Sequence, residues 1–199
     1  LDGVRRGYYV TLNPQTNQKD IFTAVFSEDG LSYSNETPLG FPVDQNEIAW
    51  GVPDAVLMPN GLVRVYWVFT EDKTSDEKLV SATSKTTKGV EFVMDPGYRL
   101  ENGYVDFEVI KAEEGDWKAL MSYTPHYMPE IPQSLFYATS KDGLNWDLIE
   151  ERITPKGYSY FDPTAIPIDD KNYLVVGSSA PNTMGDREHI LFTAELILP

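Results

Sequence analysis

The chain has 199 residues, enough for one domain with a substantial core, and its 31 acidic against 16 basic residues give a formal charge of −15. That charge repels a phosphate backbone and an anionic bilayer alike, which argues against nucleic acid and membrane as partners. The absence of cysteine rules out disulfides and thiolate metal sites and leaves the redox compartment open.

With 12 Tyr, 9 Phe and 4 Trp set among Val, Ile and Thr, the composition favours strands over helices. No segment approaches the roughly 18 apolar residues of a membrane span. The opening Leu1-Asp2-Gly3-Val4-Arg5-Arg6 lacks the apolar run of a signal peptide. The chain begins without Met, so removal of a leader stays open; an extracellular or periplasmic location is favoured in that case. No zinc spacing and no Asp-x-Asp-x-Asp calcium loop is present, and neither a metal nor a cofactor is expected.

In chain order, Asp2-Gly3 followed by Gly7-Tyr8-Tyr9-Val10 reads as a turn and a strand, and Ala24-Val25-Phe26-Ser27-Glu28-Asp29-Gly30 as a strand ending in an Asp-Gly turn. Val52-Pro53-Asp54-Ala55-Val56-Leu57 opens a further strand. Pro59-Asn60-Gly61 then turns into Val63-Arg64-Val65-Tyr66-Trp67-Val68, and Ala82-Thr83-Ser84 leads to Gly89-Val90-Glu91-Phe92. The same order returns with Val105-Asp106-Phe107-Glu108-Val109-Ile110, Trp117-Lys118-Ala119-Leu120-Met121 and Ala138-Thr139-Ser140-Lys141-Asp142-Gly143, and returns again with Phe161-Asp162-Pro163-Thr164, Tyr173-Leu174-Val175-Val176 and a fainter Thr193-Ala194-Glu195-Leu196.

The serines at 27, 84 and 140 lie 57 and 56 residues apart, and the aspartates at 54, 106 and 162 lie 52 and 56 apart, in phase with them. Four strands in about 50 residues, repeated in tandem, have the size and order of a β-propeller blade. A β-sandwich has no reason to repeat its turn chemistry at a fixed period. The fold class expected is therefore all-β, a propeller of four-stranded antiparallel blades. Labelling each blade A to D, the chain reads BCD, ABCD, ABCD, ABC, about three and a half to four blades. The sequence predicts one propeller domain over 1–199, incomplete at one or both ends, with closure through further sequence, a split blade or a second copy in a homo-oligomer.

At Pro53-Asp54-Ala55, Asp162-Pro163-Thr164 and the Ser-x-Asp-Gly turns, the chain resembles the five-bladed propeller glycosidases of glycoside hydrolase families 43 and 32 and their relatives. The resemblance spans nearly the whole chain on short motifs. It implies that acidic residues opening the innermost strands of successive blades point into a central funnel, one as base or nucleophile, one tuning and positioning, one as general acid. The chain departs from the pattern in two respects: it has no Trp-Asn-Asp-Pro segment, and its glutamate does not precede a proline. The Asp-Gly turns also resemble the Asp-boxes of sialidases, one residue shorter, and Asp29 and Asp142 are read as turn formers.

Glycoside hydrolysis needs two carboxyl groups roughly 5–9.5 Å apart. Asp54, Asp106, Glu108 and Asp162 are the catalytic candidates, Glu108 sharing a strand face with Asp106 and serving best as general acid through desolvation. An Asp opening an inner strand equally serves to hydrogen-bond backbone N–H groups of the next blade. Trp50, Tyr104, His126, Tyr127 and Tyr160 are the expected sugar-contacting layer on the same rim. Arg64 suits a central carboxylate or an anionic sugar, or else a stacked structural role. The implied partner is a carbohydrate ligand, a polysaccharide or oligosaccharide either hydrolysed or recognised. Readings of another class are a non-catalytic carbohydrate-binding or scaffold propeller and, more weakly, a protein-binding one.

Overall fold

In the computed structural model the described residues are 3–43, 51–70, 77–101, 104–123, 133–149, 151–155, 157–181 and 188–198. Among them there is no helix; every regular element is a strand, and all pairing within the sheets is antiparallel. The chain divides into two compact units, residues 1–101 and 102–199.

In the first unit, β1 (Arg6–Asn13), β2 (Gln18–Phe26) and β3 (Tyr33–Pro42) form one sheet in sequence order. Then β4 (Asp54–Leu57), β5 (Val63–Phe69), β6 (Lys78–Ser84) and β7 (Phe92–Met94) form a second. Alternation sets the two faces of β5: Val65 and Trp67 join Ile21, Val43, Val80 and Ala82 in a core between the sheets, while Arg64 and Tyr66 point the other way.

The second unit repeats the plan. β8 (Tyr104–Glu113), β9 (Asp116–Tyr123), β10 (Ser134–Ser140) and β11 (Trp146–Ile149) form a four-stranded sheet, and β12 (Tyr158–Pro167), β13 (Asn172–Pro181) and β14 (Ile190–Ile197) a three-stranded one. Leu120, Leu135 and Tyr137 pack against Tyr173, Val175 and Leu198 to make its core. Strand counts of three, four, four and three are those read from the repeat, and the fold class is that of a partial β-propeller.

The Asp-Gly turns behave as the sequence predicts. Asp142 Oδ1 accepts the N–H groups of Leu144 at 2.8 Å and Asn145 at 2.9 Å, Ser140 Oγ donates to it at 3.1 Å, and Gly143 takes φ +68°. Asp29 repeats the arrangement with Ser27 and Leu31, beside Gly30 at φ +73°. Asp142→Ala removes these acceptors from a turn whose donors still reach water, so urea unfolding should show a loss of about 1–2 kcal/mol, while Asp142→Asn, which keeps Oδ1, should lose less.

Candidate functional site

The second unit brings three of the four candidate carboxylates together. Asp106 and Glu108 lie two apart on β8 without a register break between them, opposite Ser122 and Leu120 of β9, so both side chains leave the same face about 7 Å apart along the strand. Phe107 between them points into the opposite face, where its ring meets Trp146 edge-on at 5.2 Å. Asp106 is 4% exposed and Glu108 half-buried.

The geometry of β12 explains what these carboxyls meet. Pro163 cannot donate to a sheet ladder, and the pairing of β12 with β13 slips between Phe161 and Thr164. Asp162, at φ +49°, sits in that bulge, and its backbone N–H donates to Asp106 Oδ2 at 3.2 Å. Two residues on, Thr164 Oγ1 donates to Glu108 Oε1 at 2.7 Å. Both contacts span 56 residues, one repeat, so each carboxyl touches the position equivalent to its own in the next sheet. Ser122 adds a third tie, donating to the Tyr160 carbonyl at 2.6 Å.

Burial pushes the Asp106 carboxyl up to about 6, against the Asp162 N–H, with the Asp162 charge adding to the rise. Burial also raises Glu108, against its bond from Thr164. A carboxylate offers about four acceptor sites, and the single bond found at each of these groups among the described residues does not offset desolvation. Burial therefore holds both carboxyls of this strand face above the range of solvated carboxylates. Asp162, on the bulge, has its side chain exposed.

The remaining candidates fall elsewhere. Asp54 opens β4, half-buried and opposite Tyr66, and its charge adds to the rise of the Tyr66 phenol, which burial mainly causes. Arg64 is buried in the β5 face that carries Tyr66: its Nε lies 3.3 Å from Asp95 Oδ2 and donates to Thr83 Oγ1 at 3.1 Å. Asp95 also accepts from Ser81 at 2.6 Å and Thr83 at 2.8 Å, so the arginine sits in a structural ion pair. Tyr160 packs its ring edge-on against Phe192 at 5.4 Å beside the apolar core. Tyr104 contributes backbone to β8; Trp50, His126 and Tyr127 lie outside the described residues.

Thr164, Ser122 and Asp95 are the residues that sequence reading passes over. Thr164 stood inside a repeat phrase one period from Glu108, which was the available signal. Among the described residues no group of three His, Asp or Glu is placed to hold a metal ion, and no helix is long and apolar enough to cross a membrane.

The sequence matches no protein-family model and no curated protein. Solved structures do match. An endo-arabinase from Bacteroides thetaiotaomicron is 16% identical over 98% of this chain, with a TM-score of 0.61. An α-L-arabinofuranosidase from Fusarium graminearum, solved with an iminosugar inhibitor, is 14% identical over 98% of the chain with a TM-score of 0.66, and a fructan 1-exohydrolase from Cichorium intybus 14% over 96% with 0.62.

The fold is of the β-propeller type that these structures share. The chain spans 76% of the endo-arabinase, 59% of the arabinofuranosidase and 40% of the exohydrolase. At these identities the likeness establishes architecture, and the chemistry rests on the residues themselves.

Proposed function

We propose that this propeller acts on a glycoside through the carboxyl groups of β8 and β12. The observation that carries the reading is the pair Asp106 and Glu108, side by side on one strand face and both held above the ordinary carboxylate range. Glu108, the more accessible of the two, is the general acid: its proton passes to the glycosidic oxygen as the bond to the anomeric carbon breaks. Asp162, exposed and carried on the bulge, is the base that takes a proton from the water whose oxygen forms the new bond to that carbon. Asp106, buried between them, positions the bulge through the Asp162 N–H and tunes its neighbours by its own charge.

The strand-to-strand bonds at Asp106 and Glu108 favour one second reading, a non-catalytic carbohydrate-binding propeller in which these groups hold neighbouring sheets in register. A panel of aryl glycosides and oligosaccharides separates the two. For hydrolysis, Glu108→Gln should lower kcat by about 10²–10⁴-fold with little change in KM, the range expected for loss of a general acid. Asp162→Asn should lower kcat for good and poor leaving groups alike, whereas the Glu108→Gln loss should be largest for poor ones. Oligosaccharide binding without turnover, weakened by neither substitution, would contradict this assignment and leave the binding reading.

A further inference from the structure

We infer that the second unit carries an anion-binding groove centred on Lys118, apart from the carboxylate pair. The groove has a volume of about 800 Å³ and is walled by the face of β9 to β11, the stretch after β11 and the Leu196–Leu198 end of the chain's last strand. Its apolar surface comes from Tyr137, Ile149 and Leu196. Lys118 lines it while only 8% exposed. Among the described residues its ammonium has no hydrogen-bond or ion-pair partner.

The repeat shows what is missing. Arg64 on β5 and Lys118 on β9 occupy equivalent positions, each directly opposite a threonine, Thr83 or Thr139. In the first unit the arginine is met by Asp95, three residues beyond Phe92, which pairs with Ser84. Counting the same way from Trp146, which pairs with Ser140, the position of Asp95 holds Ile149. The cation is kept and its counter-charge replaced by an apolar side chain. The Lys118 stem is buried while the residue lines the open groove without the counter-charge that Arg64 has, and an anion in the groove can supply that charge.

The acids nearby do not fill that place. Lys111, directly across from Lys118, takes Asp116 at 2.7 Å and Glu113 at 3.1 Å. Asp116 feels the charges of Lys118 and Lys141, but its contact is with Lys111. Asp147 and Glu151 line the groove from exposed positions, balanced by exposed Lys141 and half-buried Arg152, and solvent screens them. The ligand class is a small oxyanion, a carboxylate or a sulfate, borne on a body with an apolar flank that rests on Tyr137 and Ile149.

Thermal unfolding at fixed ionic strength tests this, with sodium sulfate and sodium acetate as separate arms against sodium chloride. The wild-type chain should gain about 3–5 °C in at least one arm once the anion is in tenfold excess over its dissociation constant. Lys118→Met should not respond to either anion; Lys118→Arg should keep the response. No gain in the wild type, or an equal gain in Lys118→Met, would overturn the inference, the latter showing a general salt effect on the whole surface. Lys118 has no part in the proposed hydrolysis, so this outcome is independent of turnover.

Discussion

Asp106→Asn is expected to make the protein more stable at pH 7.5, by about 1–3 kcal/mol, and to flatten its stability between pH 4 and 6. The folded-state carboxyl titrates at about 6 against an ordinary value of 3.8, because burial opposes the charged form more than the Asp162 N–H favours it. In that window the folded chain binds the proton that the unfolded chain has released. Stability from this group is therefore full below about 4 and lost as pH rises to about 6. A difference of about two pKa units corresponds to about 3 kcal/mol, which sets the upper limit on the gain. The asparagine still accepts the Asp162 N–H, so the bulge is kept. Urea unfolding at pH 4.5 and 7.5 measures both quantities. Equal stability of the two proteins at pH 7.5, with parallel pH curves, would show that Asp106 is ionised at no cost. A stabilised variant with reduced turnover would mark Asp106 as a residue kept for function at the expense of the fold.

Arg64→Met should act in the opposite direction, with a loss of about 3–5 kcal/mol, because it leaves Asp95 buried without its cation. Ser81 and Thr83 still donate to that carboxylate, yet two hydroxyls do not replace a guanidinium. Pairing Arg64→Met with Asp95→Leu should recover most of the loss, since removing both charges from a buried pair is far milder than removing one. Urea unfolding of the two single variants and the double variant gives the coupling directly. If Arg64 held a ligand rather than the sheet, the single change would leave stability within about 0.5 kcal/mol and appear in binding alone. The contrast with Lys118 is the more informative because the two cations share one repeat position and only one has its acid.

The strands, their order and the turns were legible because each rests on local chemistry that recurs. Alternation in Val63–Val68 and Trp117–Met121 marks strands, and Ser140 with Asp142-Gly143 closes its own turn within a few residues. Asp106 and Asp162 were legible because the repeat carries them in phase with Asp54, and Glu108 because it shares a strand face with Asp106. What they touch was not, since a bulge at Asp162-Pro163 decides whether an N–H faces the sheet ladder or a neighbouring carboxyl, and Thr164 is an ordinary strand residue until the sheets are set side by side. Arg64 shows the same limit. Alternation gives its face, but a partner 31 residues away, beyond two strands, depends on how β7 ends. Ile149 in place of an acid is visible only once β7 and β11 are aligned through their pairing with Ser84 and Ser140.

The most direct test is a carbon-13 NMR titration of the side-chain carboxyls between pH 3 and 8, with Asp106→Asn and Glu108→Gln for assignment, repeated with a bound oligosaccharide. Asp106 should titrate at about 6 and Glu108 above its ordinary 4.5, and both should shift when sugar binds. Two carboxyls titrating at ordinary values, and unmoved by an oligosaccharide that binds, would contradict the assignment of this strand face as the reactive site.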